Sequence, residues 1–316
     1  MADRSVLGLF LVVMVSGLVV ASTSALDVTK LSGSSLTLRH VTSARGLDAG
    51  ADLTWNPYAA AIISLSPVYA LPGKLSLSAN WDLETEYTQR DADVGRFSYG
   101  DPTLTLAHAA LFNHKASGLK LSGSTTIRAG LSEGSRAQAR YGAVSLGVGL
   151  SRVFSLQKGA SVSWALSATG YGHGATHGRS SLSLYSRCSG EVSLVSLAGS
   201  CAEELVINSG SANAYGALSS SLTAGIKLPF TLGARLRLGG AWLGTYARTL
   251  DDERISYSGP EGTSMRAILV SDLRFSAAPI KRLGLALGMQ TTHPQIGTDG
   301  QFRTPFVNRY SNLYFD

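Results

Sequence analysis

The sequence predicts an all-β fold, a transmembrane antiparallel up-and-down β-barrel of about twelve strands. Three observations predict it. Strand-period alternation of apolar and polar residues recurs along the chain. The connections between those segments are alternately short and long. Aromatic residues gather at the ends of the segments, on the apolar parity. The clearest segment is Lys74 to Thr88, with Leu75, Leu77, Ala79, Trp81, Leu83 and Tyr87 on one parity. Ser76, Ser78, Asn80, Asp82, Glu84, Glu86 and Thr88 take the other. Alternating side chains point to opposite faces of a strand, so the segment has one greasy face and one polar face. It suits a strand crossing a bilayer at a slant, which takes about 9–11 residues plus flanks.

Composition sets the class. The first residues, MADRSVLGLFLVVMVSGLVVASTSA, read as a signal peptide over 1–25. Arg4 is the positive end, Val6 to Val20 the apolar run and Thr23-Ser24-Ala25 the small-residue cleavage site. Residues 26–316 are then expected to form one outer-membrane barrel domain, in the outer membrane of a Gram-negative bacterial cell. Beyond residue 25 no apolar run is long enough for a membrane helix. The 35 glycines and the scarcity of charge fit extended structure. The net charge of +6 is spread singly and mainly over Arg, with no Lys/Arg run, so no nucleic-acid partner is expected. Cys188 and Cys201 are the two cysteines, an even count in an exported chain, and are expected to form a disulfide.

The strands follow in order. The first covers Leu36 to Val41, and the second runs from Ala59 to the Pro72-Gly73 turn. The third is Lys74 to Thr88, followed by a polar loop, Arg90 to Asp101. The fourth is Thr103 to Phe112. The fifth, Leu119 to Leu131, sets Leu119, Leu121 and Ile127 against Lys120, Thr126 and Arg128. The sixth, Tyr141 to Phe154, alternates Val144, Leu146, Val148 and Leu150 with serine and glycine. The seventh is Ser161 to Tyr171. A long irregular stretch, Gly172 to Asn213, precedes the eighth strand, Ala214 to Leu228. The ninth, Leu232 to Ala247, opposes Leu236 and Leu238 to Arg235 and Arg237. The tenth is Met265 to Phe275, the eleventh has its core at Leu283 to Met289, and the twelfth is Phe306 to Phe315. Short connections follow the even-numbered strands and long ones the odd, as in outer-membrane barrels with short periplasmic turns. Phe112, Phe154, Phe230, Phe275 and Phe315 form a girdle at the short-turn end, with Tyr87, Trp242 and Tyr246 toward the other.

If the apolar parity meets lipid, the other faces the lumen, and its residues are mostly small. Twelve strands are intermediate between a filled barrel and an open channel. The charged lumen residues are Asp82, Glu84, Glu86, Lys120, Arg128, Arg235, Arg237, Arg266, Asp272 and Arg274. Strand direction places Glu84, Glu86, Arg128 and Arg266 near the outer mouth. It places Lys120, Arg235, Arg237, Asp272 and Arg274 nearer the periplasm. Such charges select solutes across a pore, or pair across strands and only hold the wall; both readings stand. Tyr141, Tyr171 and Tyr215 are read as lumen-facing near the outer mouth, as solute-stacking residues or a wetted rim.

No catalytic constellation emerges, and the chain is read as a non-enzyme. His108 shares the lipid-facing parity with Leu106 and Ala110 and has no serine beside it. His173 and His177 lie in a Gly-rich stretch and are read as loop. No metal or cofactor motif is present, so none is expected.

The stretches SPVYALPGKLSLSANWDLE, SYGDPTLTLAHAALF and SGLKLSGSTTIRAGLSEGS resemble exported barrel proteins of the meta-pathway phenol-degradation type, which are similar in architecture to long-chain fatty-acid transporters. The shared elements are a Tyr-containing turn into a strand, Gly100-Asp101 before a strand, and a strand ending in the Gly130 to Gly134 loop. The likeness covers Ser66 to Ser135. Ala129 stands where that family often has Pro, and no plug-like N-terminal helical segment is evident. The resemblance implies an outer-membrane barrel passing small, often apolar organic compounds.

The expected function is passive, porin-like passage of small solutes, with outer-membrane lipid as a partner and a homo-oligomer compatible with the fold. A structural barrel that binds a partner through its long loops is the alternative. A lipid-modifying enzyme is the third reading.

Overall fold

In this computed structural model, the structure describes residues 31, 33–43, 59–87, 97–154, 159–174, 213–227, 232–246, 265–280, 283–294 and 311–316. The signal-peptide residues 1–25, His177, Phe230, Cys188 and Cys201 lie outside the described residues, so the cleavage and the disulfide expectations are not addressed by them.

Twelve strands close into one antiparallel ring. They are β1 Ser35–Ser43, β2 in two segments, Ala59–Ser66 and Val68–Leu71, and β3 Leu75–Glu86. β4 is also split, into Phe97–Tyr99 and Thr103–His114. Then come β5 Leu119–Ala129, β6 Arg140–Phe154, β7 Ala160–His173 and β8 Ala214–Lys227. β9 Leu232–Thr245, β10 Met265–Ile280, β11 Leu283–Pro294 and β12 Ser311–Phe315 complete the ring. Each strand pairs with its chain neighbours, and β12 returns to β1 through His40↔Phe315 and Ser43↔Asn312. Closure leaves no free sheet edge, so every strand finds backbone partners on both sides.

Both splits have local causes. Pro67 has no N–H for the ladder; its carbonyl accepts from Ala79 N at 3.0 Å, and β2 resumes at Val68. In β4, three steps from Gly100 to Thr103 oppose two steps from Asp82 to Asn80 on β3, so Asp101-Pro102 holds one residue too many for the ladder. The polar loop expected over Arg90 to Asp101 therefore ends earlier, because Phe97–Tyr99 already pairs with β3.

Other limits shift too. β10 continues past Phe275 to Ile280, and β11 runs on to Pro294. Phe275 and Phe315 consequently share a row with Leu287, inside the hairpin that closes at Ile280↔Leu283. They do not mark its tip. The loop after β5 contains one short helix, α1 Glu133–Ala137, whose N-cap Ser132 accepts from Ser135 N.

The faces divide as the alternation requires. In β6 to β11, Leu146, Leu166, Leu218, Trp242 and Leu287 share one face, joined across strands by register. Leu146 is 61% exposed and Leu287 59%. The buried apolar residues among those described are Ala60, Ala129, Ala143, Ala286 and Tyr314, and no leucine, isoleucine or valine is among them. A sandwich or a soluble barrel would bury its large aliphatic side chains between its walls. Here most of them stand on the convex outside, and the inside is mainly serine, threonine, alanine, glycine and charge, with Ile62, Leu243, Ile268 and Val270 among the aliphatic exceptions.

Candidate functional site

The inner face is the candidate site. Its scaffold is a ladder of small hydroxyls. Ser145 Oγ meets Thr169 Oγ1 at 2.7 Å, Ser167 Oγ meets Ser219 Oγ at 2.7 Å, and Thr105 Oγ1 meets Thr126 Oγ1 at 2.8 Å. These pairs satisfy hydroxyls against the wall with side chains too short to fill the interior.

On this scaffold sits a charged band over β9, β10, β12 and β1. Register places Arg235 opposite Arg274 and Arg237 opposite Asp272. Asp272 does not take the residue opposite it. It pairs diagonally with Arg235 Nη2 at 3.6 Å and accepts from the Tyr314 hydroxyl at 3.1 Å. Arg274 Nη2 reaches Asp316 at 3.1 Å, and Arg39 Nη2 donates to the same carboxylate at 3.0 Å. The Arg39 guanidinium also lies 4.5 Å over the Tyr314 ring. The sequence pointed to Arg235, Arg237, Asp272 and Arg274. It missed Arg39, Tyr314 and Asp316, which join the band only through the closure of β1 on β12.

A second charged set lies on β3. Asp82, Glu84 and Glu86 share the inner face with Ser64, Ser98 and Ala60 through the ladders to β2 and β4. Strand β3 is six places from β9 in a ring of twelve, so the acidic strand faces the strand of Arg235 and Arg237 across the interior. Asn80 Nδ2 donates to Asp82 at 3.3 Å, and Glu84 and Glu86 each have interactions of their own. Lys120 and Arg128 on β5 are exposed. Arg266 lies opposite Leu243 in the ladder between β9 and β10.

Two of the three tyrosines are not where parity placed them. Arg140 pairs with His173 and Gly142 with Gly172, so Tyr141 is the extra residue of a β-bulge. Tyr215 is the extra residue between the Ala214↔Thr245 and Gly216↔Gly244 pairs. Each bulge turns its tyrosine outward. The Tyr215 ring lies where a Cβ on outward-facing Gly244 would stand, at 2.5 Å, and the Tyr141 hydroxyl covers Gly174 in the same way. With Leu218, Trp242 and Met265, Tyr215 borders an outer groove of about 600 Å³. Tyr171 keeps the inner parity, with the Arg140 guanidinium 5.8 Å from its ring.

At the long-loop end, Asp101 organises the rim. It accepts from Ser132 N at 2.7 Å, from the buried Ser135 hydroxyl and from Arg140 Nη2 at 3.0 Å. Burial alone would raise its pKa; those hydrogen bonds and Arg140 outweigh burial and hold it below the usual carboxylate range. Gly130 makes the approach feasible, because a Cβ there would stand 2.0 Å from Arg140 O. His173 is not in a loop. It ends β7, with Nδ1 at 3.1 Å from Gln138 O and Nε2 at 3.0 Å from Ala214 O. His108 is on the outer face opposite Leu75, and its Nδ1 accepts from Ala110 N at 3.3 Å. Among the described residues no group of three or more His, Cys, Asp or Glu could hold a metal ion.

No protein-family model matches the chain, and no curated protein matches it. Among solved structures it is similar to an outer membrane channel from Pseudomonas putida F1, at 14% identity and a TM-score of 0.47 over 89% of this chain and 92% of that one.

Proposed function

We propose that the protein is an outer-membrane barrel that passes small solutes through its interior by passive diffusion. The observation that carries this reading is the segregation of the wall: most large aliphatic side chains are exposed outside, and mainly small and charged side chains lie inside a closed ring of twelve strands. An outward apolar surface of this extent is stable against hydrocarbon and costly against water. An interior of serine, glycine and unfilled charge has a use when water and solute occupy it. The exported leader expected over residues 1–25 and the meta-pathway likeness of Ser66 to Ser135 point the same way.

The test is reconstitution of the folded protein in planar bilayers and liposomes. Discrete conductance steps and solute-dependent swelling are expected. A folded barrel with neither would end the reading and leave the structural, loop-binding alternative.

A further inference from the structure

The inner charged band is not electrically neutral as seen from the interior. Its carboxylates are recessed: the side chains of Asp316 and Asp272 are 4% and 16% exposed. Its guanidiniums stand open, with Arg39 and Arg274 at 30% and Arg235 at 46%. Arg237 is exposed too, and among the described residues it makes no ion pair. Three guanidiniums therefore share two side-chain carboxylates that lie beneath them, and Arg237 adds a fourth positive charge.

We propose that the passage is anion-selective, with Arg39, Arg235, Arg237 and Arg274 forming the surface that admits small anions and holds back cations. The proposal rests on the solute-passing reading and gives it a solute class. Fixed cations at a constriction with low-dielectric walls concentrate anions and repel cations. The acidic strand across the interior does not cancel this. Glu84 and Glu86 lie toward the long-loop end of β3, while Arg235 and Arg237 lie toward the short-turn end of β9. Arg128, exposed toward the long-loop end of β5 and without an ion pair among the described residues, adds positive charge near those acids. The mouth is mixed and the deeper band is basic.

The experiment is the reversal potential of the full-length protein in planar bilayers under a potassium chloride gradient, for the native chain and for Arg237→Gln and Arg237→Lys. Among the described residues Arg237 has no ion-pair partner to lose, so both variants are expected to fold, which the heat-dependent mobility shift of a barrel on a gel checks. The native protein is expected to favour chloride over potassium, Arg237→Gln to lose a severalfold share of that preference, and Arg237→Lys to keep it. A native channel that favours potassium or neither ion would overturn the proposal and leave passage intact. So would a preference that Arg237→Gln leaves unchanged. Absence of any conductance from folded protein would remove the underlying reading itself.

Discussion

The Tyr314 hydroxyl on β12 donates to Asp272 Oδ1 on β10 at 3.1 Å, reaching over β11, to which neither residue belongs. Gly288 makes the reach feasible: a Cβ there would stand 2.3 Å from the Tyr314 Cζ. Tyr314 is 3% exposed, its ring lying between Gly288 and the Arg39 guanidinium. Only five residues of β12 are described as strand, so a side-chain tie across three strands supports the seam where the ring closes.

Gly288→Ala is accordingly expected to displace the ring and destabilise the barrel by about 1–3 kcal/mol, the usual cost of overpacking. Tyr314→Phe keeps the packing and loses one hydrogen bond to a charged group, about 1.5–3 kcal/mol. Urea midpoints of the detergent-folded protein check both. Equal stability of Gly288→Ala and the native chain would show that the ring does not need the gap.

The Asp101 latch predicts an acid-sensitive rim. The carboxyl of Asp101 is held below its usual range. A carboxylate with a lowered folded pKa contributes stability that is present above its unfolded pKa. That stability is lost as pH falls through the folded value. Acid should loosen α1 from β4 and β6 and leave the wall unchanged. Proteolysis after Arg136 should accelerate at low pH in the native protein, and Asp101→Asn should show the faster rate already at neutral pH. An unchanged cleavage rate in Asp101→Asn would show that the helix is held by other contacts.

Charge placed on the two faces should have opposite consequences. Leu146→Arg puts a guanidinium on the outer face, where it is expected to cost about 2–4 kcal/mol near the membrane midplane. Ser163→Arg, on the inner face opposite Thr223, should be tolerated. Folding yield into liposomes measures the difference. Equal yields would contradict the assignment of the faces.

The sequence carried most of this architecture, because strand order in an up-and-down barrel is chain order. Lys74 to Thr88 displayed its faces without ambiguity, and β3 occupies Leu75–Glu86 within it. The same parity rule failed at Tyr141 and Tyr215. Each is the extra residue of a bulge, and a one-residue insertion flips the side chain to the other face. The glycine beyond each bulge, Gly142 or Gly216, was the available signal. The charged band was half legible. Arg235, Arg237, Asp272 and Arg274 alternate within long strands, whereas Arg39 and Asp316 meet through the closure of β1 on β12, which no local pattern reveals. The diagonal choice of Asp272 for Arg235 over Arg237 depends on side-chain reach, which register alone does not set.

Trp81, Trp164 and Trp242 all stand on the outer face, each more than two-fifths exposed. Their fluorescence in a Trp55→Phe variant folded into liposomes tests the outward apolar wall most directly. Lipids brominated along the acyl chain are expected to quench it strongly, with little effect from aqueous iodide. Quenching by iodide and not by brominated chains would place these indoles in water and contradict the account.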